Sequence, residues 1–157
     1  MTESTTKKIL ITKEGYQKLS KQLEELQTVK RPAALHNLQD VSNSADWRDN
    51  AQLIQMQNNL GIIDAEIHRL EKILEEGEIV APQSNDAVVD IGETVVLQCD
   101  GDMETYTIVS PAESDPDHGY ISYESPLGHA LLKQKVGDEV DVQVPAGLLH
   151  YRIVAVQ

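Results

Sequence analysis

With 157 residues and 40% apolar content, the chain is long enough for one medium domain or two small ones and too apolar to read as disordered. Its formal charge of −13 is uneven: residues 1–81 carry 13 acids and 10 bases, whereas residues 82–157 carry 13 acids and only 3 bases, so the second half is unsuited to gripping a phosphate backbone. A lone Cys99 rules out an internal disulfide, no apolar run resembles a signal peptide or reaches the roughly 20 residues of a membrane span, and His36, His68, His118, His129 and His150 lack zinc-ligand spacing, all of which favours a cytoplasmic protein without membrane contact.

Residues 1–8 are small and polar and read as a flexible leader. Tyr16, Leu19, Leu23 and Leu26 then recur at helical spacing, with Thr12 placed as N-cap and the helix starting near Lys13. Val29-Lys30-Arg31-Pro32 interrupts that stripe, because proline removes one helical hydrogen bond and crowds the preceding turn. Leu35, Leu38 and Val41 resume it, which predicts a kinked or re-phased helix, with a turn at Ser42-Asn43-Ser44. Leu53, Met56, Leu60, Ile63, Ile67, Leu70 and Leu74 follow in an alternating 3, 4 spacing, the strongest periodic signal in the chain. Such a seam needs a partner, and the short turn makes the preceding helix its antiparallel neighbour. The prediction is a coiled-coil hairpin projecting on the order of 40 Å at about 1.5 Å per residue, ended by Gly77 and followed by a linker at Ala81-Pro82.

Beyond the linker the period becomes two. Thr94–Cys99 runs into Asp100-Gly101, a hairpin-turn dipeptide, and Glu104–Ser110 returns. Val140, Val142 and Val144 alternate with polar residues, Pro145-Ala146-Gly147 turns the chain, and Leu149, Tyr151, Ile153 and Ala155 form the apolar face of a last strand. One short helix is expected over Pro126–Gln134. The fold class is therefore α+β: a hairpin domain over residues 1–81 and a small antiparallel sheet domain over residues 82–157.

The residues best placed for chemistry sit in the hairpin turn, in Ala45-Asp46-Trp47-Arg48-Asp49-Asn50. Carboxylates at i and i+3 of a helix start point the same way and can share a divalent cation, with Mg²⁺ the natural choice for oxygen ligands. Two ligands hold Mg²⁺ weakly, so the arrangement makes sense where another macromolecule completes the shell. The same acids also suit a plain helix start, Asp46 as cap and Asp49 as favourable charge in the first turn. Trp47 suits either a hydrophobic lid over the tip or, with Arg48, a partner contact. There is no glycine-rich phosphate loop and no Ser or Cys nucleophile beside a histidine.

The stretches "ITKEGYQKLSKQLEELQTVKRPAAL", "ADWRDNAQL" and "SPLGHALLKQKVGDEVDVQVPAG" resemble, in order and spacing, the bacterial GreA/GreB family of transcript cleavage factors, over Ile11 to Val156. The resemblance implies an N-terminal coiled coil that enters the secondary channel of RNA polymerase and an FKBP-like C-terminal domain that docks at its rim. It implies that the polymerase's own active site hydrolyses the 3′ end of backtracked RNA, with the tip acids helping to hold a second Mg²⁺ and orient water. On that reading Asp46 and Asp49 are the metal-handling acids and Asn50 a supporting hydrogen-bonder.

The family tip typically reads Gly-Asp-Leu-x-Glu-Asn-Ala-Glu-Tyr, so Asp49 stands where a glutamate is usual and its carboxylate retreats by roughly 1.5 Å. Leu53 replaces the tyrosine, and Val41–Ser44 lack the basic residue and histidine common there. A second reading is consequently a binding-only regulator that occupies the channel without promoting cleavage. A third, a peptidyl-prolyl isomerase, fails on composition, since such a pocket needs aromatic walls and the chain has no Phe and its single Trp in the other domain. Tyr120 to Gly128, with Ser125, Pro126 and Leu127, is the expected rim contact, and a monomer is expected because the hairpin pairs its own seam.

Overall fold

The computed structural model describes residues 8–44, 50–81 and 87–157, the side chains of Ser44 and Asn50 excepted. The chain divides into two compact units, one of residues 16–77 and one in which the segment up to Gly15 joins residues 78–157. The expected leader, up to Lys7, and the linker from Pro82 lie outside the described residues.

The helical unit is built from α1 (Lys13–Glu25), a π-helical segment (Leu26–Lys30), α2 (Arg31–Ser44) and α3 (Asn50–Glu76). Gln27 Nε2 donates to Glu71 Oε1 at 2.9 Å and Arg31 Nε to Asp64 Oδ1 at 2.7 Å. As one partner number rises the other falls, so the arms are antiparallel. The predicted seam of α3 is buried or half-buried at every position, with Ile67, Leu70 and Ile73 the most enclosed. At the end of the seam Ile73 is more enclosed than its neighbour Leu74.

The break before Pro32 is a re-phasing. Arg31 N–H donates to the Leu26 carbonyl, five residues back, so the turn is one residue wider than an α-turn. Inward positions step from Leu26 to Arg31, then to Ala34, Leu35, Leu38 and Val41. Val29, which an unbroken α-helix would turn toward the seam, is 59% exposed. The wide turn also relieves the crowding that a proline ring imposes on the carbonyl before it.

The turn predicted at Ser42-Asn43-Ser44 is not a turn: α2 runs through these residues. Serine and asparagine cost only a fraction of about 0.7 kcal/mol each relative to alanine in a helix, too little to stop one already propagating.

In the second unit, β1 (Ile9–Thr12) pairs with β2 (Gly77–Val80), a two-stranded sheet absent from the sequence reading. Gly77 ends α3 as predicted and opens β2. The main sheet comprises β3 (Thr94–Cys99), β4 (Asp102–Val109), β5 (Tyr120–Ser122), β6 (Glu139–Val144) and β7 (Gly147–Val156), in the order β5-β4-β3-β7-β6. Asp100 (φ 50°) and Gly101 (φ 96°) make the tight turn their dipeptide predicts. The core contains Val89, Val95, Leu97, Ile108, Leu131, Val142 and Ile153.

Three expectations need correcting. The sheet is mixed, because β5 runs parallel to β4 after the crossover at 110–119. The short helix, α4, spans Pro126–Leu131 only; Lys133 turns left-handed (φ 66°) and its N–H donates to the Val89 carbonyl, which takes the chain out of the helix. The inward face of β7 holds for Leu149, Tyr151 and Ile153 but passes from Ala155 to Val156. Val96 pairs with Ala155 and Leu97 with Ile153, so Val154 is an extra bulged residue and the alternation changes parity.

Candidate functional site

Asp46, Trp47, Arg48 and Asp49 lie outside the described residues, as does the side chain of Asn50, whose backbone opens α3. The hairpin delivers the two ends of that segment, Ser44 at the end of α2 and Asn50 at the start of α3. Among the described residues no group of three or more His, Cys, Asp or Glu is placed to hold a metal ion. The carboxylates expected from the sequence to meet Mg²⁺, those of Asp46 and Asp49, would suit the ion in type and fall short of its shell in number.

On the flank of the hairpin, a shallow pocket of about 360 Å³ is lined by Gln27, Arg31, Asp64, Ile67, His68 and Glu71. Each partner of the Arg31–Asp64 pair is 42% exposed, so the pair is a screened one and its worth lies in geometry more than in energy. His68 Nδ1 lies 3.5 Å from Glu71 Oε2. Neither Arg31 nor Asp64 stood out in the sequence, because an isolated charged residue on a helix carries no periodic signal.

The start of α1 rests on a buried acid. Thr12 Oγ1 accepts from Gly15 N–H at 3.0 Å, the predicted N-cap contact. Glu113, only 9% exposed, accepts from Thr12 N–H at 3.2 Å, from the Thr12 hydroxyl, from Ser110 Oγ at 2.7 Å and from Ser110 N–H at 3.3 Å. Glu113 also closes a capping box with Ser110, the cap of a single 3-10 turn over Pro111–Glu113. A Cβ on Gly15 would stand 1.7 Å from Glu113 Oε1. The Thr-x-x-Gly spacing is thus a seat for a carboxylate: threonine donates to it and glycine leaves it room. The sequence does hold a signal for Glu113, the Ser-Pro-Ala-Glu box itself, which the strand reading passed over.

Tyr120 and Ser125 to Gly128 are brought to neighbouring positions at β5 and the start of α4. Ser125 Oγ donates to the Ser122 carbonyl at 2.7 Å and accepts from Gly128 N–H at 3.0 Å, while Pro126 takes the first helical position, where no N–H is needed. Gly128 is buried, with Ser122 O only 2.1 Å from where a Cβ would lie, so it shapes the turn and touches nothing outside. Pro126 and Tyr120 are exposed, and Leu127 is half-buried against the core. Ser125 is half-buried like Leu127, so of the set only Gly128 is closed to a partner.

Burial, together with a hydrogen bond to Glu104 Oε2 at 3.0 Å and the charge of that carboxylate, pushes the Tyr106 phenol up to about 12. Partial burial and the nearby acids Asp100, Glu104 and Asp102 push the Cys99 thiol up, away from thiolate reactivity. At Asp90 burial acts to raise the carboxyl, but the Ile91 N–H and the Lys133 ammonium outweigh it and hold it below its ordinary value.

Two family models match. Residues 9–79 match the one described as transcription elongation factor, N-terminal, and residues 83–157 the one described as transcription elongation factor, GreA/GreB, C-term. The chain is 37% identical to the transcription elongation factor GreA of Thermomicrobium roseum, covering 96% of this chain and 97% of that protein, and 37% identical to GreA of Geobacillus kaustophilus, covering 94% and 95%. Among solved structures it is similar to the GreA factor homolog 1 protein of Thermus thermophilus, with 32% identity, a TM-score of 0.47, and coverage of 96% of this chain and 99% of that one.

Proposed function

The chain belongs to the GreA/GreB family of transcription elongation factors, and from that membership we propose that it enters the secondary channel of bacterial RNA polymerase, in the cytoplasm and as a monomer, and stimulates cleavage of backtracked RNA. The observation that carries this reading is the pair Asp46 and Asp49, three residues apart between two antiparallel arms, within a chain matched by family models along nearly its whole length. The factor is not itself the enzyme; the polymerase's active site breaks the phosphodiester bond.

Asp46 and Asp49 present carboxylate oxygens toward the RNA 3′ end, and their charge orients water and restrains its protons. Mg²⁺ held between these acids and the polymerase would supply Lewis-acid activation of that water and charge neutralisation at the phosphate. Asn50 supports one of the acids by hydrogen bonding. Trp47 and Arg48 contact the channel wall, and Tyr120, Pro126 and Leu127 the rim.

The test is a halted, backtracked elongation complex with extruded 3′ RNA and Mg²⁺. The native protein should shorten the RNA faster than buffer, and the Asp46→Asn, Asp49→Asn double variant should not. A protein that slows nucleotide addition while leaving the RNA full length would instead be a channel plug, and the cleavage role would be wrong.

A further inference from the structure

We propose that Arg31 is a positioning residue for the tip: paired with Asp64, it sets the axial register of the two arms and so the place at which Asp46 and Asp49 are presented. The inference rests on the cleavage role proposed above for those acids.

Two different things must be specified in a helical hairpin, which face turns inward and how far along the axis the arms meet. Leu35, Leu38 and Val41 on one arm and Leu53, Met56, Leu60 and Ile63 on the other settle the first. They do little for the second, since sliding one arm past the other by a turn exchanges one aliphatic contact for another. Arg31 is different. The wide turn at Leu26–Lys30 brings it into the inward phase, where its Nε donates to Asp64 Oδ1 at 2.7 Å. One turn to either side of Asp64 on that face stand Leu60, Gly61, Ile67 and His68, none of them an acid. A slide toward Leu60 therefore leaves the guanidinium without a carboxylate, and a slide toward His68 brings it only toward Glu71, the acid that Gln27 already holds. A polar partnership set into a largely apolar seam is a known way to fix register at little gain in stability, and the Gln27–Glu71 hydrogen bond one turn away keys the same register from an exposed position.

The pair also lies where control of the tip is best exerted. It sits at the junction of the π-helical segment with α2, so the stretch from Arg31 to Ser44 is a regular helix with no second irregularity before the tip. Slack at the junction is carried along the whole of α2 to Ser44, two residues before Asp46 in sequence, and misplacement of a catalytic group by about 1 Å can cost on the order of 100-fold in rate.

The experiment uses the full chain with Cys99→Ser and spin labels on exposed Ser42 and Gln52, and reads the width of the label-to-label distance distribution in the free protein. The same unlabelled variants are assayed for RNA shortening in the backtracked complex. In Arg31→Met and in Asp64→Asn the width should at least double. The maximal shortening rate should fall by roughly tenfold to 100-fold while the half-saturating concentration stays within about twofold. The charge swap Arg31→Asp with Asp64→Arg should narrow the distribution again and restore the rate, which loss of mere folding would not allow; circular dichroism confirms helix content throughout.

An unchanged width in both single variants overturns the proposal. So does a doubled width with an unchanged maximal rate. If the parent protein shortens no RNA at all, the cleavage role fails on that arm alone, and the widths in the free protein still decide whether Arg31 sets the register.

Discussion

Gly15→Ala gives a test in which two physical effects have opposite signs. Gly15 lies in the first turn of α1, where helix propensity alone predicts a gain of about 1 kcal/mol for alanine. The seat of Glu113 predicts a loss. The new Cβ would lie 1.7 Å from Oε1, 2.0 Å from Cδ and 2.5 Å from Cγ of Glu113, so the carboxylate must swing away from Thr12 and Ser110. Hydrogen bonds to a charged group are worth about 1.5–3 kcal/mol each, and losing two of the four gives about 3–6 kcal/mol, or about 2–5 kcal/mol net of the propensity gain. At a urea slope of roughly 1–3 kcal/mol per molar, the midpoint should fall by about 1–2 M. Urea unfolding followed by tyrosine emission in a Tyr16→Leu, Trp47→Leu background reads the sheet unit, which holds the other four tyrosines, Tyr106, Tyr120, Tyr123 and Tyr151. In a Glu113→Ala background the obstruction is gone, and the same Gly15→Ala change should become neutral or stabilising by up to about 1 kcal/mol. A higher midpoint for Gly15→Ala in the native background would refute the reasoning.

Gly128→Ala should destabilise the sheet unit by about 3 kcal/mol or more in the same assay, since its Cβ would meet the Ser122 carbonyl oxygen at 2.1 Å and backbone cannot step aside. Gly61→Ala is the contrasting case: nothing lies within 4 Å of its Cβ, so the hairpin should gain about 1 kcal/mol, measured as a higher thermal midpoint of its helical signal. Ultraviolet titration should find Tyr106 ionising near 12, and Glu104→Gln should bring it down toward the ordinary value of about 10. Because its folded value is raised, the stability this phenol contributes is intact below about pH 10 and is lost as pH rises through about 12.

What could be read from the sequence was whatever repeats. The seam from Leu53 to Leu74, the valines of β6 and the odd-numbered face of β7 up to Ile153 are periodic, and burial follows the period. Local chemistry was legible too, at the Asp100-Gly101 turn and the Thr12 cap. What escaped depends on partners distant in the chain. Glu113 meets Thr12 across 101 positions, β1 finds β2 across the whole hairpin, and β5 lies parallel to β4 because of where a crossover returns it. The bulge at Val154 defeated a parity rule that was sound up to the residue before it. At the candidate site, the expectation for Asp46 and Asp49 rests on residue type and spacing alone, since both lie outside the described residues, whereas Arg31 and Asp64 acquire meaning only once the wide turn has set the phase.

That wide turn can be restated in the arithmetic of insertions and deletions. It is one surplus residue stored within a helix, and Val29, apolar yet facing water, is the residue the seam does not use. Deleting Val29 together with Pro32→Ala should give a continuous α-helix in which Leu26 and Arg31 become four positions apart and every inward side chain beyond them keeps its partner. Inserting a residue at Ala34 instead has no such reservoir to draw on and should scramble the arm from there to the tip. Length variation among chains of this architecture should accordingly collect at 27–30 and avoid 33–44.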